Sequence, residues 1–343
     1  MQSFTIMRSV LIQGVRMQIG LRCSVLTTAA LLLATSCGAV SRAADNEPAK
    51  VADNLLRGAI DFHVHSGPDL FTRSVLDFEI ARVAQRQGMR ALVLKNHFTM
   101  TADRAVLAER LSGLTCFGGI VLNRAVGGIN ANAIERMVHF AGKRGKVVWL
   151  PTFDAENHVR RFEEQRPFVS VIRSGQPVPE LTAVLKLIAK HRLVLCTGHS
   201  SADECLLLIQ AARKAGVDKI LVTHAMADPI RMTIPQLKQA AALGAKLECV
   251  WLSNLQGKQS HLPGMRSWLH VSTADYARAI RAVGVEHFVL SSDLGQYLNP
   301  LHTDGIKAFL LELSARGFTP AELSVMSRHN AAALLDLPRS DGS

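Results

Sequence analysis

The chain has 343 residues, of which 48% are hydrophobic and 20% are charged. This length suits one large barrel or two ordinary domains, and the composition is that of a globular protein with a sizeable core. After residue 50 no stretch is both long and apolar enough to span a bilayer. We therefore expect no integral membrane span in the mature chain.

The formal net charge is +11, but residues 1–43 contain four arginines and no acidic residue, which leaves +7 for the rest. A positive balance favours anionic surfaces or substrates. No run of lysine and arginine is interleaved with aromatic residues, so we do not expect nucleic-acid binding. We expect a small-molecule substrate, and the sequence leaves the oligomeric state open, including a homo-oligomer.

The N-terminal segment, residues 1–43, has the pattern of an export signal. Three arginines precede the apolar run Val25–Ala34, and small residues follow it. Cleavage after Ala43 would give a periplasmic or secreted protein. Lipidation of Cys37 would give a membrane-anchored lipoprotein instead, and an uncleaved anchor is the third alternative.

From residue 58 onward, short apolar runs rich in β-forming residues alternate with amphipathic helical patterns, which is typical of a parallel α/β fold. Most of these runs are apolar throughout, as expected of strands that are covered on both faces. The eight predicted strands are Ala59–His65, Ala91–His97, Thr115–Asn123, Val147–Phe153, Leu193–His199, Lys219–His224, Lys246–Trp251 and His287–Asp293.

The predicted helices between the strands end at glycine, the residue that most easily adopts the left-handed conformation after a helix. Ser201 and Glu204 have the spacing of a capping box, which predicts a helix from there to Ala215. Eight such units favour a (β/α)8 TIM barrel with eight parallel strands, and a doubly wound open sheet is the alternative. The glycines are Gly88, Gly113, Gly145, Gly216, Gly244, Gly284 and Gly317.

The predicted domain organisation follows from this pattern. Residues 1–43 are the signal peptide, 44–57 an N-terminal linker, 58–337 the barrel and 338–343 a C-terminal tail. Two connections are longer than the others, and they run from Asp154 to about Pro179 and from Leu252 to about Ser272. We expect both to be loops over the barrel mouth, where substrates are usually selected.

Polar residues stand at the C-terminal ends of four predicted strands, where a barrel gathers its active site. His63 and His65 end the first strand, and alternation along it places both on one face. His199, His224 and Asp293 end the fifth, sixth and eighth strands. Four imidazoles and one carboxylate suit zinc or another first-row divalent ion. The sequence therefore predicts a metal site with one or two ions.

These residues resemble the motifs of the amidohydrolase superfamily of metal-dependent barrel hydrolases, over about residues 58–337. The resemblance rests on the paired histidines of strand one, the single histidines of strands five and six, and Asp293 on strand eight. The segment Asn330–Leu335 is similar to the closing Asn-Pro-Ala motif of that superfamily, with Ala331 in the place of proline. The resemblance implies a hydrolase that activates a metal-bound water, and it implies no particular substrate.

One feature departs from that superfamily, many of whose two-metal members carry a bridging lysine or glutamate on strand four. The predicted fourth strand, Val147–Phe153, offers neither. Lys95 instead stands near the end of strand two, where its ammonium is costly to desolvate. Lys95 would be carboxylated and bridge two metals, or it would stay charged and bind a carboxylate or phosphate of the substrate, or its ammonium would simply reach solvent.

We assign catalysis to Asp293, as the group that takes a proton from water and returns it to the leaving group, with His224 or His199 facing the oxyanion. The predicted substrate contacts are His97, Arg124, Asp154 and His158. The bond cleaved would be an amide, a lactone or another ester. A lyase or decarboxylase, a phosphoesterase and a non-catalytic periplasmic metal- or solute-binding protein remain as alternatives.

Overall fold

The computed structural model describes residues 53–339, so the predicted export signal lies outside the described residues. Eight parallel strands alternate with helices along this part of the chain. The strands are β1 Ile60–His65, β2 Ala91–Lys95, β3 Thr115–Val121, β4 Gly145–Trp149, β5 Val194–Cys196, β6 Ile220–Val222, β7 Lys246–Val250 and β8 Phe288–Ser291.

The strands form one sheet in which each strand pairs in parallel with the next along the chain. The two edges of the sheet meet, because the backbone N–H of His65 donates to Leu294 O and that of Asp293 donates to His63 O, both at 3.0 Å. A doubly wound sheet would change direction in its strand order. The predicted (β/α)8 barrel is therefore confirmed, and the open-sheet alternative is wrong.

An outer ring of helices surrounds the sheet. Its members are α1 Asp77–Arg86, α2 Ala102–Ser112, α3 Ala131–His139, α4 Glu156–Arg161, α5 Pro179–Lys190, α6 Ala202–Lys214, α7 Ile234–Ala242, α8 Thr273–Val283, α9 His302–Ala315 and α10 Pro320–Ser324. A π-helical turn, Val325–His329, leads into the C-terminal helix α11, Asn330–Leu334. Among the described residues, none of the helices is long and apolar enough to cross a membrane.

Two of the local predictions about helix ends are tested directly. The capping box before α6 is present, with the Ser201 hydroxyl accepting a hydrogen bond from Glu204 N at 3.3 Å. The prediction that Gly145 closes a helix is wrong, since α3 ends at His139 and Gly145 is the first residue of β4. A Cβ atom at Gly145 would lie 2.6 Å from the Met137 side chain, so glycine is needed there for close packing.

Two apolar layers hold the barrel together. In the outer layer, strand residues such as Val64 pack against the helices of the ring. In the inner layer, strand residues such as Trp149 pack together with Ala331 of α11. The side chain of Asn330 donates to the backbone oxygen of Phe288, where β8 begins, at 2.6 Å. Helix α11 therefore covers the N-terminal end of the barrel, opposite the C-terminal ends of the strands.

Several strands end earlier than the sequence predicts. β6 ends at Val222 rather than His224, and β8 ends at Ser291 rather than Asp293. His224 and Asp293 have φ angles of 27° and 54°, a region that extended strands do not use. These two residues lie on tight turns just past the strands, and the turns, rather than strand alternation, set the directions of their side chains.

The two long connections contain local structure of their own. The first includes α4 and a short hairpin formed by Ile172–Arg173 and Gln176–Pro177. The second includes two 3-10 turns, Trp251–Leu255 and Pro263–Met265. The predicted linker, 44–57, also overlaps the folded part, because Leu56 is fully buried in the outer layer.

Candidate active site

Three of the predicted metal ligands converge at the C-terminal end of the barrel. The Nε2 atoms of His63 and His65 lie 3.0 and 3.2 Å from the same oxygen, Oδ1 of Asp293. Ligand atoms of these three residues all lie within 4.8 Å of one another. The register of β1 shifts between Asp61 and Val64, and this shift lets both imidazoles reach the mouth although Phe62 belongs to the inner layer.

His199 and His224 lie beside this cluster. The ring centroid of His224 is 5.0 Å from that of His199 and 6.1 Å from that of His63. The Nδ1 atom of His224 is buried, and no hydrogen-bond partner for it is present among the described residues. A non-glycine residue at positive φ stores backbone strain, which is common at functional sites. Both His224 and Asp293 show it, with φ angles of 27° and 54°.

Glu248, which the sequence did not single out, supports the cluster from β7. Its Oε2 accepts hydrogen bonds from Nδ1 of His63 at 3.1 Å and from the backbone N–H of His224 at 3.0 Å. Burial alone would raise the pKa of Glu248, but the adjacent His63 imidazole holds it below its usual value. An ionised acceptor at Nδ1 leaves Nε2 of His63 free to bind a cation, as is usual for metal-ligating histidines.

Lys95 lies at the end of β2 with its Nζ atom 2.9 Å from Nε2 of His63. The residue is 1% exposed, so its ammonium does not reach solvent as one of the alternatives required. Burial lowers the pKa of Lys95. Trp149 of β4 lies near Lys95, with the ammonium 5.5 Å from its ring centroid. β4 has no acidic residue, and its lysine, Lys146, is the second residue of the strand, at the end opposite the mouth.

His97 and His158, two of the predicted substrate contacts, lie in the mouth. The His97 ring stacks on that of His65 at 4.7 Å, and its Nδ1 is 2.9 Å from the Thr152 hydroxyl. The Nδ1 atoms of His158 and His199 are 2.9 Å apart, so one ring donates and the other accepts. Burial lowers the pKa of His158 to about 3, and therefore this ring is neutral at pH 7.

The other two predicted substrate contacts are not brought to the mouth. The Arg124 side chain is exposed, and its backbone N–H donates to the Asp154 carboxylate at 2.8 Å. Arg166 donates to the other oxygen of Asp154 at 2.5 Å. Asp154 thus joins the connection after β3 to the long connection after β4. We withdraw Arg124 and Asp154 from the proposed site.

A cavity of about 680 Å³ opens above the cluster. Arg73, on the connection after β1, lines it and was not identified from the sequence. Its Nη2 atom lies 3.3 Å from Nδ1 of His65, and its Nε donates to Asp69 at 2.7 Å. The remaining lining residues are His65, Phe71, Thr72, Lys95, His97, Phe153, His158, Phe162, Glu164, His199, His224, Leu252, Gln256, Leu262, Gly264, Met265, Ser267, Trp268, Asp293, Gln296 and Tyr297.

The protonation states of His65, His199, His224 and Asp293 suit cation binding. Burial alone would lower the pKa of His63, but the adjacent Asp293 carboxylate raises it above its usual value. Burial lowers the pKa of His65 and His199 well below the usual value, and that of His224 to about 4. Burial alone would raise the pKa of Asp293, but the imidazoles of His63 and His65 hold it well below its usual range. Neutral imidazoles and an ionised carboxylate are the forms that bind metals.

The residues present fit a divalent cation. In a tetrahedral zinc site with bonds of about 2.0–2.1 Å, neighbouring ligand atoms are roughly 3.3 Å apart. The distances of 3.0 and 3.2 Å between the histidine nitrogens and Asp293 are close to that separation. An arginine only donates, so the contact of Arg73 with Nδ1 of His65 leaves the proton of that ring on Nε2. Binding of a cation at Nε2 of His65 therefore requires the other tautomer, with the proton on Nδ1.

Comparisons with known proteins agree with this fold. An organophosphorus hydrolase from Deinococcus radiodurans matches with a TM-score of 0.55 and 15% identity, over 82% of this chain and 93% of that chain. The probable dipeptidase PvdM from Pseudomonas aeruginosa matches with a TM-score of 0.55 and 10% identity, over 84% and 98% of the two chains. At such identities the similarity is one of fold, and it agrees with the predicted barrel.

At the level of sequence, no curated protein matches the chain. One sequence family does, over residues 58–248, which include β1 to β6 and most of β7. The match covers more than half of the 343 residues and all of the predicted metal ligands except Asp293. The chain therefore belongs to this family, which is described as a family of unknown function, DUF6282.

Proposed function

We propose that this protein is a metal-dependent hydrolase that cleaves an ester, lactone or amide bond of a small anionic substrate. The observation that carries the proposal is the convergence of His63, His65 and Asp293 beneath a cavity in the mouth of a (β/α)8 barrel. Enzymes with this barrel have their active sites at this end. The structural relatives are described as an organophosphorus hydrolase and a dipeptidase, two names that imply different bonds, so the bond cleaved here is left to experiment.

The cation, zinc or another first-row divalent ion, would be held by His63, His65 and Asp293, with His199 and His224 completing the site. Such a cation, when bound, polarises a carbonyl or phosphoryl oxygen and makes water more acidic. Lys95 lies close enough to Nε2 of His63, at 2.9 Å, to bridge to a second ion if it is carboxylated. If Lys95 stays charged instead, the same position serves the anionic group of the substrate.

The chain's own groups supply the proton transfers. The Asp293 carboxylate is ionised, and its side chain is 12% exposed toward the cavity. We assign to it the removal of a proton from water and the return of that proton to the leaving group. His199 and His224 are neutral, so a ring of this pair that does not hold the cation can instead donate an N–H to the oxygen on which negative charge develops.

Two cations face the cavity and account for the proposed anionic substrate. Lys95 and Arg73 both line it, with the Lys95 ammonium beside His63 and the Arg73 guanidinium beside His65. Arg73 is partly neutralised by its ion pair with Asp69 at 2.7 Å, whereas Lys95 forms no ion pair among the described residues that would neutralise it in the same way. We therefore expect Lys95 to contribute more than Arg73 to the binding of an anion.

Elemental analysis of the purified protein tests the metal site. We expect one or two equivalents of a divalent metal in the wild type and none in the His63→Ala/His65→Ala double variant. His139→Ala is the matched control, because His139 lies on the exposed face of α3 and hydrogen-bonds only within its own helix region, to Glu135. If the wild-type protein folds in zinc-replete medium but contains no metal, the hydrolase proposal is refuted.

Product analysis in ¹⁸O-labelled water separates the alternative reactions. A hydrolase places one labelled oxygen in its product, whereas a lyase or decarboxylase places none, and a binding protein gives no product. Screening esters, lactones, amides and phosphate esters with the metal-loaded enzyme then identifies the bond. In Lys95→Met we expect the KM for anionic substrates to rise at least tenfold, while Lys186→Met, on the exposed face of α5, leaves it unchanged. An unchanged KM in Lys95→Met would exclude the anion-binding role.

A further inference from the structure

One side of the cavity is unusually aromatic. Phe, Tyr and Trp make up 5% of the chain, yet they provide five of the 22 residues that line the cavity. Side chains of this kind at a concave surface are the usual contacts of a bound ligand's apolar body. The five residues are Phe71, Phe153, Phe162, Trp268 and Tyr297.

Three of these rings, together with the ring of His158, form what we call the aromatic slot: Phe153, Phe162, Trp268 and His158. The rings of Trp268 and Phe162 are 4.7 Å apart and tilted by 34°, and they form one wall. Phe153 forms the other wall, and its ring meets that of His158 edge to face at 5.1 Å and 85°. The ring centroid of Trp268 lies 5.8 Å from that of His158.

The slot lies directly beside the proposed reaction centre. His199, one of the proposed metal ligands, is 5.7 Å from the Phe153 ring and 6.4 Å from the Trp268 ring, measured between centroids. A group bound between the two walls therefore lies next to the bond to be cleaved. Flat rings gain from edge-to-face and offset contacts with aromatic side chains, and saturated rings of the same size do not.

A buried carboxylate holds both halves of the first wall in place. Asp228 is 0% exposed, and it accepts hydrogen bonds from Nε of Arg161 at 3.1 Å and from the backbone N–H of Leu269 at 2.6 Å. Arg161 and Leu269 are the chain neighbours of Phe162 and Trp268. One side chain thus joins α4 to the second mouth loop, and a wall fixed before binding lowers the cost of ordering it around a ligand.

We propose that the aromatic slot binds a flat, unsaturated ring of the substrate, so that the substrate class is an anionic ester, lactone or amide carrying such a ring next to the cleaved bond. Asp228 is a positioning residue for this slot, acting through Arg161 and Leu269. The inference rests on the proposed function for the identity of the bond, while the preference for a flat ring rests on the slot alone.

The test compares two probes of equal charge and carbon number, benzylphosphonate and cyclohexylmethylphosphonate, by calorimetric titration of the zinc-loaded full-length protein. We expect the flat-ring probe to bind about tenfold more tightly than the saturated one. In Trp268→Leu the preference should fall to within about twofold. Phe168→Leu is the matched control, because Phe168 is an aromatic residue of the first long connection, 40% exposed, that does not line this cavity. Equal affinities in the wild type, or a preference retained in Trp268→Leu, would overturn the proposal.

The role of Asp228 has its own readout. Arg161→Gln removes one of its partners at a side chain that is 35% exposed, so it avoids the risk of misfolding that Asp228→Asn carries. We expect Arg161→Gln to weaken the flat-ring probe by at least threefold and to leave the saturated probe unchanged. An equal loss for both probes would show a general structural role instead.

The metal content of the same samples distinguishes failure of the hydrolase proposal from failure of the aromatic-slot proposal. A wild-type protein that holds no metal yet prefers the flat-ring probe, measured by saturation-transfer NMR, would refute the proposed hydrolase activity and support the binding role of the aromatic slot. A metal-loaded protein that binds both probes equally would refute the binding role of the aromatic slot and leave the hydrolase proposal standing.

Discussion

Replacing Glu248 by glutamine tests how the metal ligands are oriented. Glu248 is 1% exposed on β7, and its Oε2 accepts from Nδ1 of His63 and from the backbone N–H of His224. Glutamine keeps the size of the side chain and one acceptor oxygen, but it removes the negative charge. The substitution therefore weakens the hold on the His63 tautomer without creating a cavity.

The magnitude follows from these contacts. A hydrogen bond to a charged group contributes about 1.5–3 kcal/mol and a neutral one about 0.5–1.5, so we expect a loss of about 1–2 kcal/mol at the His63 contact. Removal of the partner of a metal-ligating histidine typically lowers metal affinity about 10- to 100-fold. This range corresponds to about 1.4–2.7 kcal/mol, in agreement with the first figure.

The assay is a competition for zinc against a chelator of known affinity, together with urea unfolding of the metal-free protein. We expect the zinc Kd of Glu248→Gln to rise at least tenfold, and its free energy of unfolding to fall by about 1–2 kcal/mol. Glu286→Gln is the matched control, because the Glu286 side chain is 63% exposed and pairs with His287 away from the cluster. A zinc Kd within twofold of the wild type, in a variant that unfolds normally, would refute the role of Glu248 in setting the His63 tautomer.

Two further predictions concern stability. Gly295 has a φ of 121°, and a Cβ atom there would lie 1.7 Å from His65 O, so Gly295→Ala should lose more than about 3 kcal/mol in urea unfolding or fail to fold. Gly264→Ala, whose Cβ would meet nothing within 4 Å, should change stability by less than about 0.5 kcal/mol, and equal effects of the two variants would contradict the closed barrel. Burial lowers the pKa of His302 from 6.5 to about 4. Between these two pH values the unfolded chain therefore binds more protons than the folded chain. The contribution of neutral His302 to the free energy of unfolding is full above pH 6.5 and is lost as the pH falls toward 4. His302→Gln, which keeps a donor for His65 O, should reduce the loss of stability between pH 7 and pH 4.5 by about 2–3 kcal/mol, and an unchanged pH profile would show that His302 is not held neutral.

The fold and the ligand set were predictable because both depend on regular patterns. Apolar runs separated by amphipathic helices specify parallel strands, and parallel strands that close into a barrel bring their C-terminal ends together. His63, His65 and Asp293 therefore meet although up to 230 residues separate them along the chain. Lys95 was identified by the same reasoning, since a lysine in an apolar strand is costly to bury without a role.

Other residues of the site depend on loops, whose course no periodicity describes. Trp268 and Arg73 line the cavity from connections that follow β7 and β1. Arg124 and Asp154 follow strand ends and yet do not line the cavity, and Asp154 instead accepts hydrogen bonds from the backbone N–H of Arg124 and from Arg166. Sequence position at a strand end does not decide between these two outcomes.

The contacts of Glu248 could not be predicted from the sequence. A glutamate inside the apolar run Lys246–Val250 indicates a buried carboxylate that needs a partner, but not which one. The sequence by itself determined the barrel and the set of ligands at its mouth, since strand order and strand direction fix which residues share an end. Only the tertiary structure decided that Glu248 holds His63, that Asp228 joins the two loops of the aromatic slot and that Arg73 faces the cavity. Those contacts join residues far apart in the chain through side-chain directions that local patterns do not specify.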